Sequence, residues 1–160
     1  MKKQIIMMAL SILSLTVSAQ IQRQFMGQTL GESTKSEVFK GLEDKGAFND
    51  HTIVEETISV NNIRFGGYTW SVAMFMFYEN KLITVLFLDF EDSSKIKWDG
   101  LVNKLSSKYE KYKTDDVDNS KTYIDERTYL NIRTNDGRIT LGYSDLELAK
   151  KKNHDEEDEL

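Results

Sequence analysis

The feature that most constrains the fold is a long apolar stretch, residues 66 to 90, which reads GGYTWSVAMFMFYENKLITVLFLDF. Two runs rich in β-branched and aromatic residues flank a short polar segment at its centre, so the stretch predicts a β-hairpin. With a two-residue loop, Phe77 pairs with Leu82 and Phe75 pairs with Thr84. A three-residue loop would exchange the partners, but both faces of the hairpin stay apolar in either register.

The hairpin has more apolar surface than a single layer of helices requires. A strand pair with one face in water alternates apolar and polar side chains, and this pair does not. One face is predicted to carry Ala73, Phe75, Phe77, Leu82, Leu86 and Leu88. The other face is predicted to carry Tyr68, Trp70, Val72, Met74, Met76, Ile83, Val85 and Phe87.

The second face is the candidate binding site. If helices pack on the first face, the aromatic and methionine side chains of the second face remain at the surface, and such residues are enriched at protein interfaces. An exposed apolar patch of this size usually marks an interaction site. The sequence therefore predicts a partner-binding surface made of Tyr68, Trp70, Met74, Met76 and Tyr78. The alternative is that another element covers this face and makes it part of the core.

The first 19 residues have the three-part pattern of a signal peptide. Lys2 and Lys3 precede an uncharged apolar stretch from 5 to 17, and Val17-Ser18-Ala19 supplies suitable residues at the cleavage site. The apolar stretch is short for a membrane span. We therefore expect cleavage after Ala19, an exported protein that is periplasmic or secreted, and no stable membrane insertion after cleavage.

The composition narrows the class of partner. The formal net charge is −5, which argues against nucleic acid and anionic membranes, because both attract basic surfaces. The chain contains no cysteine, so disulfides cannot hold an exported fold together and the core must do so. We therefore expect a protein partner in the cell envelope.

Two main helices are predicted. Thr34-Lys35-Ser36-Glu37 is a capping box, and Gly46 can end the helix in the left-handed region, so the first helix covers about 35 to 45. The second helix covers about 94 to 112. Apolar residues recur there at helical spacing, namely Trp98, Leu101, Val102, Leu105, Tyr109 and Tyr112.

The remaining segments are predicted to be strands, turns and a linker. Residues 51 to 60 alternate between apolar and polar side chains, which predicts one strand with one buried face. Asn61-Asn62 is expected to be a turn, because asparagine tolerates positive φ. Residues 115 to 120 are expected to form a polar linker.

The last hairpin is predicted over 121 to 134 and 138 to 143. Asp136-Gly137 between the two strands is typical of a type I′ turn and places Ile132 beside Leu141. This register gives the hairpin one apolar face and one polar face, in contrast to the central hairpin.

These elements predict a single α+β domain over residues 20 to 150. Its architecture is an antiparallel sheet of about five strands packed by two main helices, in the order α-β-β-β-α-β-β-(α). Ser144-Asp145 can cap the last, short helix, which ends near Lys152. Residues 151 to 160 are expected to be an acidic disordered tail. No clear period indicates an internal repeat.

No catalytic or metal site is predicted. Nucleophilic catalysis needs a base, and neither His51 nor His154 lies in the pattern of a catalytic triad. Asp116-Val117-Asp118-Asn119-Ser120 is similar to the opening of a calcium loop, but Lys121 replaces the required glycine and Arg127 replaces the bidentate glutamate. We therefore expect a protein that is not an enzyme and has no cofactor.

The stretch from Gly27 to Val38, GQTLGESTKSEV, with Leu42 beyond it, resembles the opening helix of a class of periplasmic modules. These are the BamE/SmpA-type assembly lipoproteins and the proteins with the β-lactamase-inhibitor-protein fold. The segment FYENKL, residues 77 to 82, is similar to their sheet hairpins. The resemblance implies a short helical element in front of an antiparallel sheet, and modules of this kind bind other proteins.

The main functional prediction is an exported, non-enzymatic protein-binding module that uses an apolar face of its sheet. One alternative is a small enzyme with carboxylates or tyrosine as acid and base, which needs a pocket lined by two carboxylates, or by one carboxylate and His51. The other alternative is a structural component of the envelope that assembles with itself through an edge of the last hairpin.

Overall fold

The computed structural model of the protein describes residues 20–46, 51–90 and 95–158. The predicted signal peptide lies outside these residues. Within them, an eight-stranded antiparallel sheet is accompanied by helices and by a separate two-stranded ribbon. The α+β class with an antiparallel sheet is therefore confirmed.

The first elements of the described chain are the two strands of the ribbon, β1 (Gln24–Phe25) and β2 (Gln28–Thr29). Helix α1 (Lys35–Asp44) follows them. Four strands come next: β3 (His51–Val54), β4 (Thr57–Phe65), β5 (Tyr68–Tyr78) and β6 (Lys81–Asp89). Helix α2 (Lys95–Tyr109) continues into a short 3-10 helix (Glu110–Tyr112). The remaining elements are β7 (Lys113–Val117), β8 (Ser120–Ile124), β9 (Thr128–Asn135), β10 (Arg138–Asp145) and α3 (Leu146–Asp158).

The large sheet consists of two halves with the same topology. Its strand order is β3-β4-β5-β6-β10-β9-β8-β7, so each half is one helix followed by a four-stranded meander. The fourth strand of one half, β6, pairs antiparallel with the fourth strand of the other, β10. The last turn of each half, Glu79-Asn80 or Asp136-Gly137, has both residues at positive φ, as a type I′ turn requires.

The helices of the two halves share a short sequence pattern of an aromatic residue, a polar residue, glycine and leucine. The pattern is Phe39-Lys40-Gly41-Leu42 in α1 and Trp98-Asp99-Gly100-Leu101 in α2. In both helices the leucine is buried and the aromatic ring packs against the core. A repeat that no sequence period indicated is therefore visible in the fold.

One face of the sheet, which we call the covered face, packs against α1, α2 and the N-terminal segment. Because paired residues share a face, the register places its apolar side chains in two rows across the strands. The first row is Val60, Ala73, Phe87, Leu141 and Ile132. The second row is Ile58, Phe75, Val85, Tyr143, Leu130 and Tyr123. All of these residues are buried, and they form one core with Leu42, Leu101 and Leu105 of the helices.

The predicted architecture of about five strands packed by two main helices is wrong, because the large sheet has eight strands. Residues 51–60 form two strands, since the chain reverses at Glu55, whose φ is 45°. The predicted linker at 115–120 contributes to β7 and β8, which pair across Asp118-Asn119. The predicted strand 121–134 is divided at 125–127 into β8 and β9. Apolar periodicity is a weak signal for such short, polar strands.

The last helix is longer than predicted. Helix α3 reaches Asp158, whereas the sequence predicted an end near Lys152 and a disordered acidic tail beyond it. Asp145 caps the helix as expected, because its Oδ1 accepts a hydrogen bond from the backbone N–H of Leu148 at 2.9 Å. Lys152 and Glu156 form an ion pair of 3.3 Å one turn apart, which favours helix over disorder.

Several local predictions are confirmed. Thr34 and Glu37 form the reciprocal capping box at the start of α1. Gly46 has a φ of 67° and donates its N–H to the carbonyl of Glu43, as a left-handed helix end requires. The register of the last hairpin is also confirmed, with Ile132 paired to Leu141.

Arg23 ties the N-terminal segment to the sheet. Its Nη2 lies 2.6 Å from Oδ2 of Asp145, a residue with 5% of its surface exposed. The same guanidinium donates to the carbonyl oxygens of Leu30 and Arg127. Gly31 makes this close contact possible, because a Cβ at that position would lie 2.5 Å from the Asp145 carboxylate. One buried ion pair therefore joins the N-terminal segment, the β8–β9 turn and the cap of α3.

We expect the substitution Arg23→Met to lower the free energy of unfolding by about 3–5 kcal/mol, because it leaves Asp145 buried without its cation. Urea unfolding followed by tryptophan fluorescence measures this change. The matched control is Arg127→Met, since the Arg127 side chain forms an exposed pair with Glu32 at 3.7 Å and its loss should change little.

A second variant separates the charge from the packing. The double variant Arg23→Met with Asp145→Asn removes both charges and should recover part of the lost stability. If Arg23→Met costs no more than Arg127→Met, the buried pair does not hold the N-terminal segment.

Candidate functional site

The face of the sheet opposite the main helices, which we call the open face, is the candidate site. The register places its side chains in three rows. The first row is Asn61, Val72, Leu88, Thr140, Arg133, Ser120 and Val117. The middle row is Thr52, Ser59, Met74, Leu86, Gly142, Asn131, Thr122 and Asp115. The third row is Val54, Thr57, Met76, Thr84, Ser144, Tyr129 and Ile124.

The open face is divided into an apolar and a polar half. Strands β5 and β6 contribute the apolar half, whose side chains are half-buried between their neighbours, namely Val72, Met74, Met76, Leu86 and Leu88. In the polar half, the Asn131 amide donates to the hydroxyl oxygens of Ser120 and Thr122, both at 3.0 Å. Across the boundary, the hydroxyl oxygens of Thr84 and Ser144 are hydrogen-bonded at 2.9 Å. These polar groups are satisfied within the face, so a partner could cover them at little desolvation cost.

Helix α3 forms a wall along one end of the open face. Between this wall and the sheet lies a hollow of about 690 Å³, lined by Met74, Met76, Ile83 and Ala149 among others. From the apolar half of the open face, Met74 and Met76 line this hollow. A partner that entered the hollow would contact the methionines and the helix together.

Polar contacts attach α3 to the sheet. The hydroxyl of Tyr78 donates to the carboxylate of Asp155, and Lys151 Nζ lies 2.6 Å from Oε2 of Glu79. Between residues 146 and 157, no side chain of the helix is fully buried. An element held by exposed polar contacts and little apolar burial is more readily displaced than one packed into a core. These two contacts therefore hold α3 beside the hollow.

The second hollow lies at the other end of the open face, with a volume of about 460 Å³. Leu88 and Phe90 contribute apolar surface to it, and Arg133 and Arg138 contribute positive charge. Asp89 also borders it, but its carboxylate binds Lys97 and accepts a hydrogen bond from Ser71 at 3.1 Å. We call this the arginine hollow.

The five predicted site residues do not form one surface. Met74, Met76 and Tyr78 lie together on the open face, half-buried and next to α3. Tyr68 lies on the other side of the sheet, where a Cβ at Gly100 of α2 would be 2.6 Å from its hydroxyl oxygen.

Trp70 is part of the core, so its predicted place at the surface is wrong. Its exposed fraction is 0%, its ring centroid lies 5.6 Å from that of Phe87, and its Nε1 donates to the carbonyl of Phe65 at 3.1 Å. The cause is Asn62 on the neighbouring strand, whose φ of 52° interrupts the pairing with β5. Along β5, the buried positions are therefore odd-numbered from Ala73 onwards, whereas the even-numbered Trp70 is buried before that point.

A bulge in β6 makes the predicted face wrong for the residues of this strand that follow Ile83. Phe77 pairs with Leu82 as predicted, but Ile83 is an extra residue, so Phe75 pairs with Val85 and not with Thr84. Val85 and Phe87 are therefore core residues, whereas Leu86 and Leu88 lie on the open face. The sequence placed each of these two sets on the opposite side, because a one-residue shift moves every following side chain to the other face.

Sequence reasoning missed the polar half of the open face as part of the site. The polar side of the last hairpin was expected, and Tyr129, Asn131, Arg133, Arg138 and Thr140 lie on it. Nothing local in the sequence indicates that this side continues the methionine face. The continuity arises from the pairing of β6 with β10, which joins residues distant in sequence.

The residues considered for other chemistry have ordinary partners. His51 lies exposed on β3, with its ring centroid 6.3 Å from that of Phe39. Asp116, from the segment similar to a calcium loop, binds Lys121 and lies 2.9 Å from Lys113 Nζ. Hydrogen bonds from these two lysines lower the pKa of the Asp116 carboxyl below its usual value, and the bond from Lys121 has the larger effect. Across the three described ranges, no three histidine or acidic side chains are grouped so that they could hold a metal ion.

Comparison of the chain with protein-family models, with curated proteins and with solved structures gives no significant match. Within the part of the chain that the structure describes, no helix has the length and apolar character needed to cross a membrane.

We expect Tyr78 to titrate at a pKa of about 12, well above the ordinary value of 10.0, chiefly because it donates a hydrogen bond to Asp155. A pKa raised in the folded state favours the protonated form, so the contact is fully present below pH 10 and is lost as the pH rises towards about 12. The ultraviolet titration of the protein minus that of Tyr78→Phe isolates this phenol. In Asp155→Asn the same difference should titrate closer to 10.0, and an unchanged titration would show that Tyr78 does not bind α3.

Proposed function

We propose that this protein is a non-catalytic binding module that holds a protein partner on the open face of its sheet. The observation that carries the proposal is the one-sided coverage of the sheet. Both main helices and the N-terminal segment pack on the covered face, while Met74, Met76, Leu86 and Leu88 keep exposed surface on the other. Methionine and large aliphatic side chains adapt to the shape of a partner and favour association.

The hydrogen-bonded polar half of the open face supports the same proposal. Interfaces combine an apolar centre with polar groups that find partners, and unsatisfied polar groups weaken binding. The side chains of Asn131, Ser120 and Thr122 are already bonded to one another. A partner gains from covering the apolar half and loses little by covering these three side chains.

The enzyme alternative has one point in its favour, since Glu55 and Glu56 both line the hollow beside α3. Both carboxylates lie in the β3–β4 turn and are exposed to solvent. A general acid at neutral pH needs a desolvated or charge-coupled carboxylate, and exposure at the rim provides neither. Adjacent residues in an exposed turn also lack the fixed geometry that a catalytic pair requires.

The self-assembly alternative required an unpaired edge in the last hairpin, and that hairpin has none. Both strands of the last hairpin are internal to the sheet, because β9 pairs with β8 and β10 pairs with β6. The outer strands are β3 and β7, and β7 carries Lys113, Asp115 and Asp116. The charges on β7 discourage pairing between sheets at that edge.

The cellular location belongs to the same proposal. The basic and apolar pattern of residues 1–19 supports export, and an exported module would meet its partner in the envelope or outside the cell. The resemblance of the segment 27–38 to periplasmic protein-binding modules supports this reading of the site, although it identifies no partner.

We expect chemical cross-linking in intact source cells to join this protein to a specific partner through the open face. Met74→Lys should reduce the recovered cross-link by about tenfold or more, because the partner would bury an unpaired charge. The matched control is Ile96→Lys, which adds the same charge to α2 at a position with 82% exposure.

The unfolding midpoints of both variants serve as the check on folding. A partner recovered equally with Met74→Lys and Ile96→Lys would show that the open face is not the binding surface.

A further inference from the structure

The two arginines of the arginine hollow are neighbours on the open face. Arg133 pairs with Thr140, and Arg138 lies two residues before Thr140 on the same side of β10. Such diagonal neighbours lie about 7–8 Å apart across an antiparallel pair. Both side chains are exposed, and within the described ranges neither forms an ion pair or a hydrogen bond through its guanidinium. Each guanidinium offers about five N–H donors to a ligand in the hollow.

The charge of this region contrasts with that of the whole protein. The chain has a formal net charge of −5. Among the described side chains in the three rows of the open face, Arg133 and Asp115 are the charged ones, and Asp115 lies on the outermost strand. Asp89 does not neutralise the hollow, because it is buried and bound to Lys97. An acidic group that approaches the arginine hollow therefore meets two positive charges on a protein whose net charge is negative.

From this arrangement we propose that the partner carries an Asp or Glu carboxylate that binds Arg133 and Arg138, next to apolar side chains that cover Leu88, Leu86 and Met74. The inference depends on the proposed function and states the chemistry of its partner. Guanidinium groups match a carboxylate with two parallel hydrogen bonds, which lysines do not provide. Asn119, Ser120 and Asn135 line the same hollow and can donate or accept at its rim.

The register sets the spacing that the partner needs. Leu88 and Arg133 lie in one row and are separated by two strand spacings, across β10. At about 4.8 Å per spacing this distance is about 10 Å, which about three residues of an extended chain span. A partner segment that lies across the strands therefore has its acidic residue about three positions from the apolar residue that covers Leu88.

The apolar side of the arginine hollow favours a peptide over a free anion. Phe90, with 55% of its surface exposed, and Leu88 border the hollow together with the arginines. A small anion would use the guanidinium groups alone, whereas a peptide can cover the apolar side chains as well. Burying that apolar surface also removes water from the ion pair and strengthens it.

Selection of random linear peptides displayed on phage, with the full protein as the immobilised target, tests the proposal. The enriched peptides should contain Asp or Glu about three positions from an apolar residue. Fluorescence anisotropy of one labelled peptide then gives its affinity for each variant. Arg133→Met with Arg138→Met should weaken binding by about tenfold or more, because charge-assisted hydrogen bonds are lost. Arg127→Met is the matched control and should leave the affinity unchanged, because Arg127 lies in the β8–β9 turn.

Charge reversal gives the decisive comparison. With Arg133→Glu and Arg138→Glu, the same selection should enrich peptides that carry Lys or Arg in place of the acid. The proposal is overturned if peptides selected on the unaltered protein lack acidic residues, or if the two arginine substitutions leave their affinity unchanged. It is also overturned if phosphate or acetate alone competes as well as an acidic peptide, since the arginines would then bind free anions.

One further variant separates this inference from the proposed function. If the selected peptides lack acidic residues but lose affinity with Met74→Lys, the open face binds partners and the arginine hollow does not select them. If no peptide is selected, or if none loses affinity with Met74→Lys, the proposed function and the inference both fail.

Discussion

The antiparallel pairing of β6 with β10 is the contact on which the rest of the sheet depends. Its six residue pairs, from Thr84 with Ser144 to Asp89 with Ile139, join two four-stranded meanders into one sheet. On the covered face this ladder brings Phe87 beside Leu141, so the two halves share a core. On the open face it brings Leu86 beside Gly142, where a Cβ would lie 2.8 Å from Leu86 Cδ2. The missing side chain lets Leu86 lie across the junction, and the apolar and polar halves of the open face become continuous.

Coverage of only one side follows from the order of the elements. Each half supplies one helix, and both helices pack on the same face, where Leu42, Leu101 and Leu105 enter the core. Within the described residues, the open face has no such layer apart from α3, which is attached by Tyr78 with Asp155 and by Lys151 with Glu79. The open face remains compatible with water because its hydroxyl and amide groups bond to one another and its apolar residues are half-buried by their neighbours. The same properties suit it to a partner.

The two hollows of the open face differ in the residues that line them. Methionines and α3 form the hollow at one end, and Arg133 with Arg138 forms the hollow at the other. On strand β6, Thr84 and Leu88 mark the two ends, about 13 Å apart along the strand. A bound segment could therefore use apolar contacts for affinity and the arginines for orientation, a division that protein interfaces often show.

Local sequence patterns predicted the features that depend on neighbouring residues. The capping box of α1, the turn at Asp136-Gly137 with its register, and the α+β class with an antiparallel sheet all follow from local chemistry and periodicity. Tertiary structure alone decided which residues face outward. Both faces of the central hairpin are apolar, so the pattern could not reveal the extra residue Ile83 or the left-handed Asn62, each of which moves the following side chains to the other face. Trp70 became core for this reason. Arg133 and Met74 lie on the same face of one sheet because β6 pairs with β10, and these strands are distant in sequence. Local sequence patterns do not indicate such a pairing.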